Sequence, residues 1–125
     1  MNKEILHFDL NCHDQIICGG TELVEEDCYI LFWDTRASKL LGCYSEAHSD
    51  DVTAIEFHTQ MPHSLASGST DGLVNVFNLL ESSEDDALKY SFNTSSSVVS
   101  YLSYLYSFPK NCSFQNNKFR QFLLF

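Results

Sequence analysis

The chain has 125 residues, with 17 Asp and Glu against 7 Lys and Arg and a formal net charge of −10. That length is enough for one small domain, and so acidic a chain lacks the basic face that phosphate contacts require, which argues against nucleic acid as a partner. No apolar stretch approaches the ~18 residues of a membrane-spanning helix, and five scattered cysteines, an odd number, do not read as a disulfide framework.

From the N-terminus, Met1-Asn2-Lys3-Glu4-Ile5 runs directly into a mixed polar strand rather than an apolar leader. The expected compartment is therefore intracellular, cytoplasm or nucleus. Ile5 to Leu10, Asp14 to Cys18, Cys28 to Asp34 and Leu41 to Tyr44 are predicted as four strands, with a β-rich composition and no helical period. A second set follows, with Val52 to Phe57, Leu65 to Gly68 and Leu73 to Phe77 as strands. Leu73-Val74-Asn75-Val76-Phe77 alternates with period two, and Asp71-Gly72 before it is a hairpin signal, because glycine accepts the positive φ of a tight turn. Strands joined by turns exclude a βαβ arrangement.

The two sets repeat. Trp33 and Phe77 close the third strand of each, 44 residues apart, and Asp27 and Asp71 each precede them by six positions. A repeat of ~40 to 45 residues with four strands each is the period of a propeller blade. The expected organisation is all-β: a first blade over 1–46, a second over 47–92, and a non-propeller tail over 93–125. Through residue 90 there are four basic residues and all 17 acidic ones; residues 91–125 hold no acid and carry Lys110, Lys118 and Arg120. Val98 to Tyr106 could open a third blade, but no turn or Trp-Asp pair follows it.

The residues His7-Phe8-Asp9-Leu10-Asn11-Cys12-His13-Asp14, Phe32-Trp33-Asp34, His48-Ser49-Asp50-Asp51-Val52-Thr53 and Asp71 to Phe77 resemble WD-repeat proteins, and the resemblance extends over residues 1 to about 92. It implies a ring of four-stranded blades, most often seven, that binds partners on its faces and catalyses nothing. Two blades and a remnant are present, so the chain is expected to be a partial propeller: a fragment, a truncated isoform or an erroneous gene model.

The resemblance also implies a structural hydrogen-bond chain through His48, Ser67 and Asp71, ending at Phe77 where the family places Trp. Phenylalanine has no indole N–H, so the chain is expected to stop at Ser67, a loss of about 1 kcal/mol. In the first blade Trp33, Asp34 and Asp27 fit the pattern, Cys18 takes the Ser position, and no His-bearing loop precedes. Trp33-Asp34-Thr35-Arg36 matches the ending of WD-repeat substrate receptors for cullin-RING ubiquitin ligases, with Arg36 as an exposed bidentate donor to the ligase adaptor.

Other constellations have plainer explanations. Cys12-His13 with Cys18 and Cys28 contains zinc-ligand types but lacks paired C-x-x-C knuckles, so packed strand thiols are expected, with no metal and no cofactor. His48, Ser67 and Asp71 are the side-chain types of a hydrolase triad, yet they fall on the structural chain, and no catalytic residue is expected. Glu25-Glu26-Asp27, Asp50-Asp51 and Glu84-Asp85-Asp86 fall in loops, where they are either solvated charge or a negative rim for a basic peptide. Asn93-Thr94-Ser95 and Asn111-Cys112-Ser113 match the glycosylation pattern by coincidence, and Lys118 to Phe125 reads as a frayed end rather than a membrane contact. Three functions follow: a scaffold for protein partners, a ligase substrate receptor, or a truncated product without activity.

Overall fold

The computed structural model describes residues 3–94. Its elements in order are β1 Ile5–Leu10, β2 Ile16–Thr21, β3 Ile30–Asp34, β4 Lys39–Tyr44, β5 Val52–Phe57, β6 Ser64–Ser69, β7 Leu73–Asn78, α1 Glu84–Ala87 and β8 Leu88–Asn93. They form two antiparallel four-stranded sheets, β1-β2-β3-β4 and β5-β6-β7-β8, which are two propeller blades. The expected tail, apart from its first two residues, and the third-blade reading of Val98 to Tyr106 lie outside the described residues.

Turn chemistry sets the strand limits. Asn11 is buried, and its Oδ1 accepts from Gln15 N at 2.8 Å and Ile16 N at 3.2 Å, while Asp14 takes a left-handed φ of 55°. This side-chain-closed turn holds Asp14 out of the ladder, so β2 begins at Ile16 rather than at Asp14 as expected. Between β2 and β3, Glu25 and Glu26 both have positive φ, 53° and 71°, and Val24 and Asp27 exchange both backbone hydrogen bonds at 3.0 Å. That is a two-residue turn of the twist-matched kind, built without glycine. Between β6 and β7, Gly72 at φ 88° closes the turn by donating its N–H to Ser69 O at 3.2 Å.

The same irregularities recur in both sheets. The β1/β2 register shifts between Ile5 and His7 and the β5/β6 register between Val52 and Ala54; β3/β4 shifts before Trp33 and β7/β8 before Phe77. Paired bulges at matching places are repeat features rather than accidents of one strand.

The core lies between the blades. Cys18, Ile30 and Phe32 of the first pack with Val52, Ile55, Phe57, Leu65 and Phe77 of the second. Each of the aliphatic and aromatic side chains among them contributes roughly 1.5–3 kcal/mol by leaving water. Phe32, Tyr44 and Phe77 form an aromatic bridge across the interface, with ring centroids 4.9 Å apart at each step. Gly20 is needed at its close approach: a Cβ there would lie 2.5 Å from Val52 Cγ1 and 2.8 Å from Val52 O.

Two elements carry no local signal in the sequence, α1 and the fourth strand of the second blade, β8. The one-turn helix α1 is capped by Ser83, whose hydroxyl accepts from Asp86 N, and it buries Ala87 against the core. A single turn leaves no 3.6-residue period to detect. Strand β8 completes the second blade, but only Phe92 of its side chains is shielded, so it carries no apolar alternation. Among the described residues no helix is long and apolar enough to cross a membrane.

Candidate functional site

The polar centre of the second blade is built from three connections. His48 lies in the β4–β5 loop, Ser67 in the middle of β6 and Asp71 in the β6–β7 turn. His48 Nε2 lies 2.7 Å from Ser67 Oγ, and His48 Nδ1 lies 3.1 Å and 3.3 Å from the Asp71 carboxylate oxygens. The carboxylate also accepts from Ser49 N at 2.9 Å and Leu73 N at 2.8 Å. It thereby pins the β4–β5 loop against the β6–β7 turn.

Burial pushes the His48 imidazole below its ordinary proton affinity, against the opposing pull of Asp71. Burial alone would raise Asp71, but the N–H groups of Ser49 and Leu73, with His48, hold its carboxyl below the usual range. The His48–Asp71 contact is therefore a hydrogen bond from a neutral imidazole to a carboxylate rather than an ion pair. Nδ1 donates to Asp71 and Nε2 accepts the Ser67 hydroxyl.

This is the connectivity of an acid–base–nucleophile triad, and burial decides its use. The His48 side chain is 0% exposed and that of Asp71 6%, while Ser67 is 0% exposed in a strand paired on both edges. A nucleophile must reach a substrate carbonyl, and Ser67 is wholly shielded from solvent with its Oγ against His48. What the arrangement can do is satisfy three buried polar groups together, each of which would otherwise be a penalty of about 1–3 kcal/mol.

Phe77 is 1% exposed and lies opposite Leu65 on β6, against the Tyr44 ring. Asn75, the register partner of Ser67, donates from Nδ2 to Ala47 O at 2.8 Å, a second tie from β7 to the β4–β5 loop.

In the first blade the register revises two expectations. Ser64↔Asn78 and Ile16↔Asp34 are equivalent end pairs, so counting along β6 and β2 places Ser67 opposite Asn75 and Gly19 opposite Leu31. Gly19, not Cys18, holds the Ser position; Cys18 corresponds to Ala66 and packs toward the second blade. Asp27 pairs with Val24 at the tip of the long 22–29 connection between β2 and β3, whereas Asp71 lies within the short 70–72 connection between β6 and β7. Equal spacing to the aromatic residue therefore does not give equivalent carboxylates.

Trp33 and Asp34 end β3, and Arg36 lies in the turn beyond. Asp34 Oδ1 accepts from Arg36 N at 2.8 Å and from Arg36 Nε at 3.4 Å, and these bonds hold its carboxyl below the usual range. The Arg36 side chain is 74% exposed.

Several polar residues bridge the blades. Asp51 Oδ1 accepts from Leu23 N at 2.7 Å, Cys28 Sγ donates to His48 O at 3.0 Å, and Glu84 accepts from Ser45 N and Glu46 N at 3.1 and 2.9 Å. Asp51 and Glu84 belong to the acidic groups read as solvated loops, and both have backbone partners; Glu25, Glu26, Asp27, Asp85 and Asp86 are exposed. Cys12 is exposed while Cys18 and Cys28 are buried. Among the described residues no group of three or more His, Cys, Asp or Glu side chains is placed to hold a metal ion.

Two bulge-matched four-stranded antiparallel sheets, with a His-bearing loop tied to strand and turn, define a β-propeller segment of the WD type. The chain belongs to the WD-repeat proteins: it is 35% identical over 99 residues to WD repeat-containing protein GTS1 of Arabidopsis thaliana, a match covering 78% of this chain and 24% of that protein. It is 28% identical over 95 residues to a WD repeat-containing protein 89 homolog of Dictyostelium discoideum, covering 76% of this chain and 24% of the relative. The crystal structure of RRP9 WD40 repeats superposes with a TM-score of 0.61 at 20% identity, over 74% of this chain and 27% of that one. The chain thus spans about a quarter of the length of the relatives it matches. No family model matches it.

Proposed function

We propose that this chain is a non-catalytic scaffold segment that presents propeller loops to protein or peptide partners of basic character. The observation that carries the reading is the contrast around the β2–β3 turn: the His48–Ser67–Asp71 centre is sealed, while Glu25, Glu26 and Asp27 beside it project into solvent. Bonds from Leu23 N to Asp51 and from Cys28 Sγ to His48 O hold this turn against the β4–β5 loop. Its charges therefore project from a braced surface, and a negative surface attracts and orients Lys- and Arg-rich segments.

Fluorescence anisotropy with a Lys/Arg-rich peptide tests this. The expected result is salt-sensitive binding that weakens severalfold when Glu25 and Glu26 are both changed to Lys. Equal binding by that variant would defeat the reading.

A second reading has its own support. Arg36 is anchored through its backbone and Nε to Asp34 while most of its side chain stays in solvent, as a contact to the adaptor of a cullin-RING ligase requires. Arg36→Asp should abolish adaptor pull-down without changing the melting temperature, and retained pull-down would reject that role.

A further inference from the structure

A cleft of about 280 Å³ opens between the blades beside β4. Ile16, Phe32, Tyr44 and Leu79 give it an apolar lining, Glu84 adds a carboxylate, and Gly42 leaves one wall open, since an added Cβ there would meet nothing within 4 Å. The cleft shares no residue with the His48 centre or the β2–β3 turn. Its volume lies just below the ~300–1,000 Å³ of small-molecule sites, so it fits one large side chain better than a free ligand.

Two neighbouring features define what that side chain belongs to. β4 is the last strand of its sheet, and among the described residues no strand pairs with its outer edge. Edge strands are normally guarded by charge or proline, but β4 carries neither from Leu40 to Tyr44, and Leu40 and Leu41 are 50% and 54% exposed. Such an edge accepts an extended backbone as a further strand.

The second feature is charge. The two Glu84 carboxylate oxygens accept from Ser45 N and Glu46 N, and each can accept a second bond. Glu46 and Asp85 are exposed beside these groups, while Lys89 is drawn to Glu81 at 3.5 Å. A negative rim therefore borders an apolar lining.

We propose that the cleft and the β4 edge form one docking site for an extended peptide segment of a partner protein, with an aromatic anchor in the cleft and a Lys or Arg two positions away on Glu84. Alternate residues of a strand share a face and lie about 7 Å apart, which sets that spacing. The Phe32 and Tyr44 rings meet edge-on with centroids 4.9 Å apart, and a third ring beside them gains more than its burial alone.

Fluorescence anisotropy on the whole chain with the labelled peptide Thr-Arg-Thr-Trp-Thr-Arg-Thr tests this. Saturable binding is expected, weakened about tenfold or more when the peptide's Trp is replaced by Ala, since a buried aromatic anchor carries most of such an interface. Gly42→Phe fills the cleft from its open wall and should weaken binding as much; Glu84→Gln should weaken it severalfold and reduce its salt dependence. Changing Glu25 and Glu26 to Lys should leave the Trp-to-Ala ratio unchanged, which separates this site from the β2–β3 turn. Absence of saturable binding, equal binding of the Ala peptide, or undiminished binding by Gly42→Phe would overturn the proposal. So would nuclear Overhauser contacts from Tyr44 or Leu79 to residues beyond 94 in the free chain, which would give the cleft to the chain's own segment, or dimers that Gly42→Phe dissociates, which would give it to a second copy. Because the two peptides are compared on the native chain, the outcome stands even if a variant fails to fold.

Discussion

The two blades share strand order, register and bulge positions but not their polar centres. In the second, a buried imidazole joins the loop before β5, the middle of β6 and the turn after it. In the first, the corresponding strand position is Gly19, where an added Cβ would meet Ile5 and Trp33 side chains at 3.2 Å. Since both sheets form, the topology rests on strand pattern and turn chemistry, and the His48 network braces one copy of a fold that does not require it. The outward faces differ as well. Phe8 of β1 is 67% exposed, whereas Val74 and Val76 of β7 are buried.

The sharpest way to break the symmetry is at the repeated aromatic position. Phe77→Ala empties a fully buried site in the inter-blade core and should lower stability by about 3–5 kcal/mol in urea denaturation. Trp33→Ala acts on a partly exposed ring and should have the smaller effect; equal losses would mean that the two positions are equally buried.

Gly20→Ala comes next. Its Cβ would meet both side chain and backbone of Val52, so the blades must separate slightly, at a loss of about 1–3 kcal/mol. The same change at Gly42, where an added Cβ meets nothing within 4 Å, is the matched control.

The third comparison is in pH. The folded state binds a proton at His48 more weakly than the unfolded chain does, because burial disfavours the imidazolium. The stability contributed there is present above the ordinary imidazole value of about 6.5 and is lost as the pH falls below it. Melting temperature should therefore drop on acidification, and His48→Gln should flatten that limb. The smallest effect belongs to Arg36→Ala, which removes an exposed pair with Asp34 and should shift stability by less than about 0.5 kcal/mol.

The fold could be read from the sequence to the extent that local chemistry encodes it. The Asp71-Gly72 turn, the alternation of β7 and the 44-residue spacing of Trp33 and Phe77 carry their own signals, and the structure has strands there. β8 and α1 do not, since an outer strand with mostly exposed side chains lacks alternation and one helical turn lacks a period.

The candidate site divides in the same way. His48, Ser67 and Asp71 could be named because the resemblance to WD-repeat proteins implies their places, and the structure brings those side chains within hydrogen-bond distance. The assignment of Cys18 and Asp27 to the same pattern failed because the connection between the second and third strands is longer in the first blade, 22–29 against 70–72, which spacing to the aromatic residue alone does not reveal. The inter-blade bonds of His7, Asp9, Asp51 and Glu84 depend on contacts between distant segments, up to 48 residues apart for His7 and Ile55, and no local rule in the sequence points to them.

We propose that the His48–Ser67–Asp71 centre serves to brace the second blade. Urea denaturation of His48→Ala tests this most directly, because the change leaves Ser67 and Asp71 buried without their shared partner. A loss of about 1–3 kcal/mol is the expected result. Unchanged stability would contradict the account, since the centre would then contribute nothing to the fold.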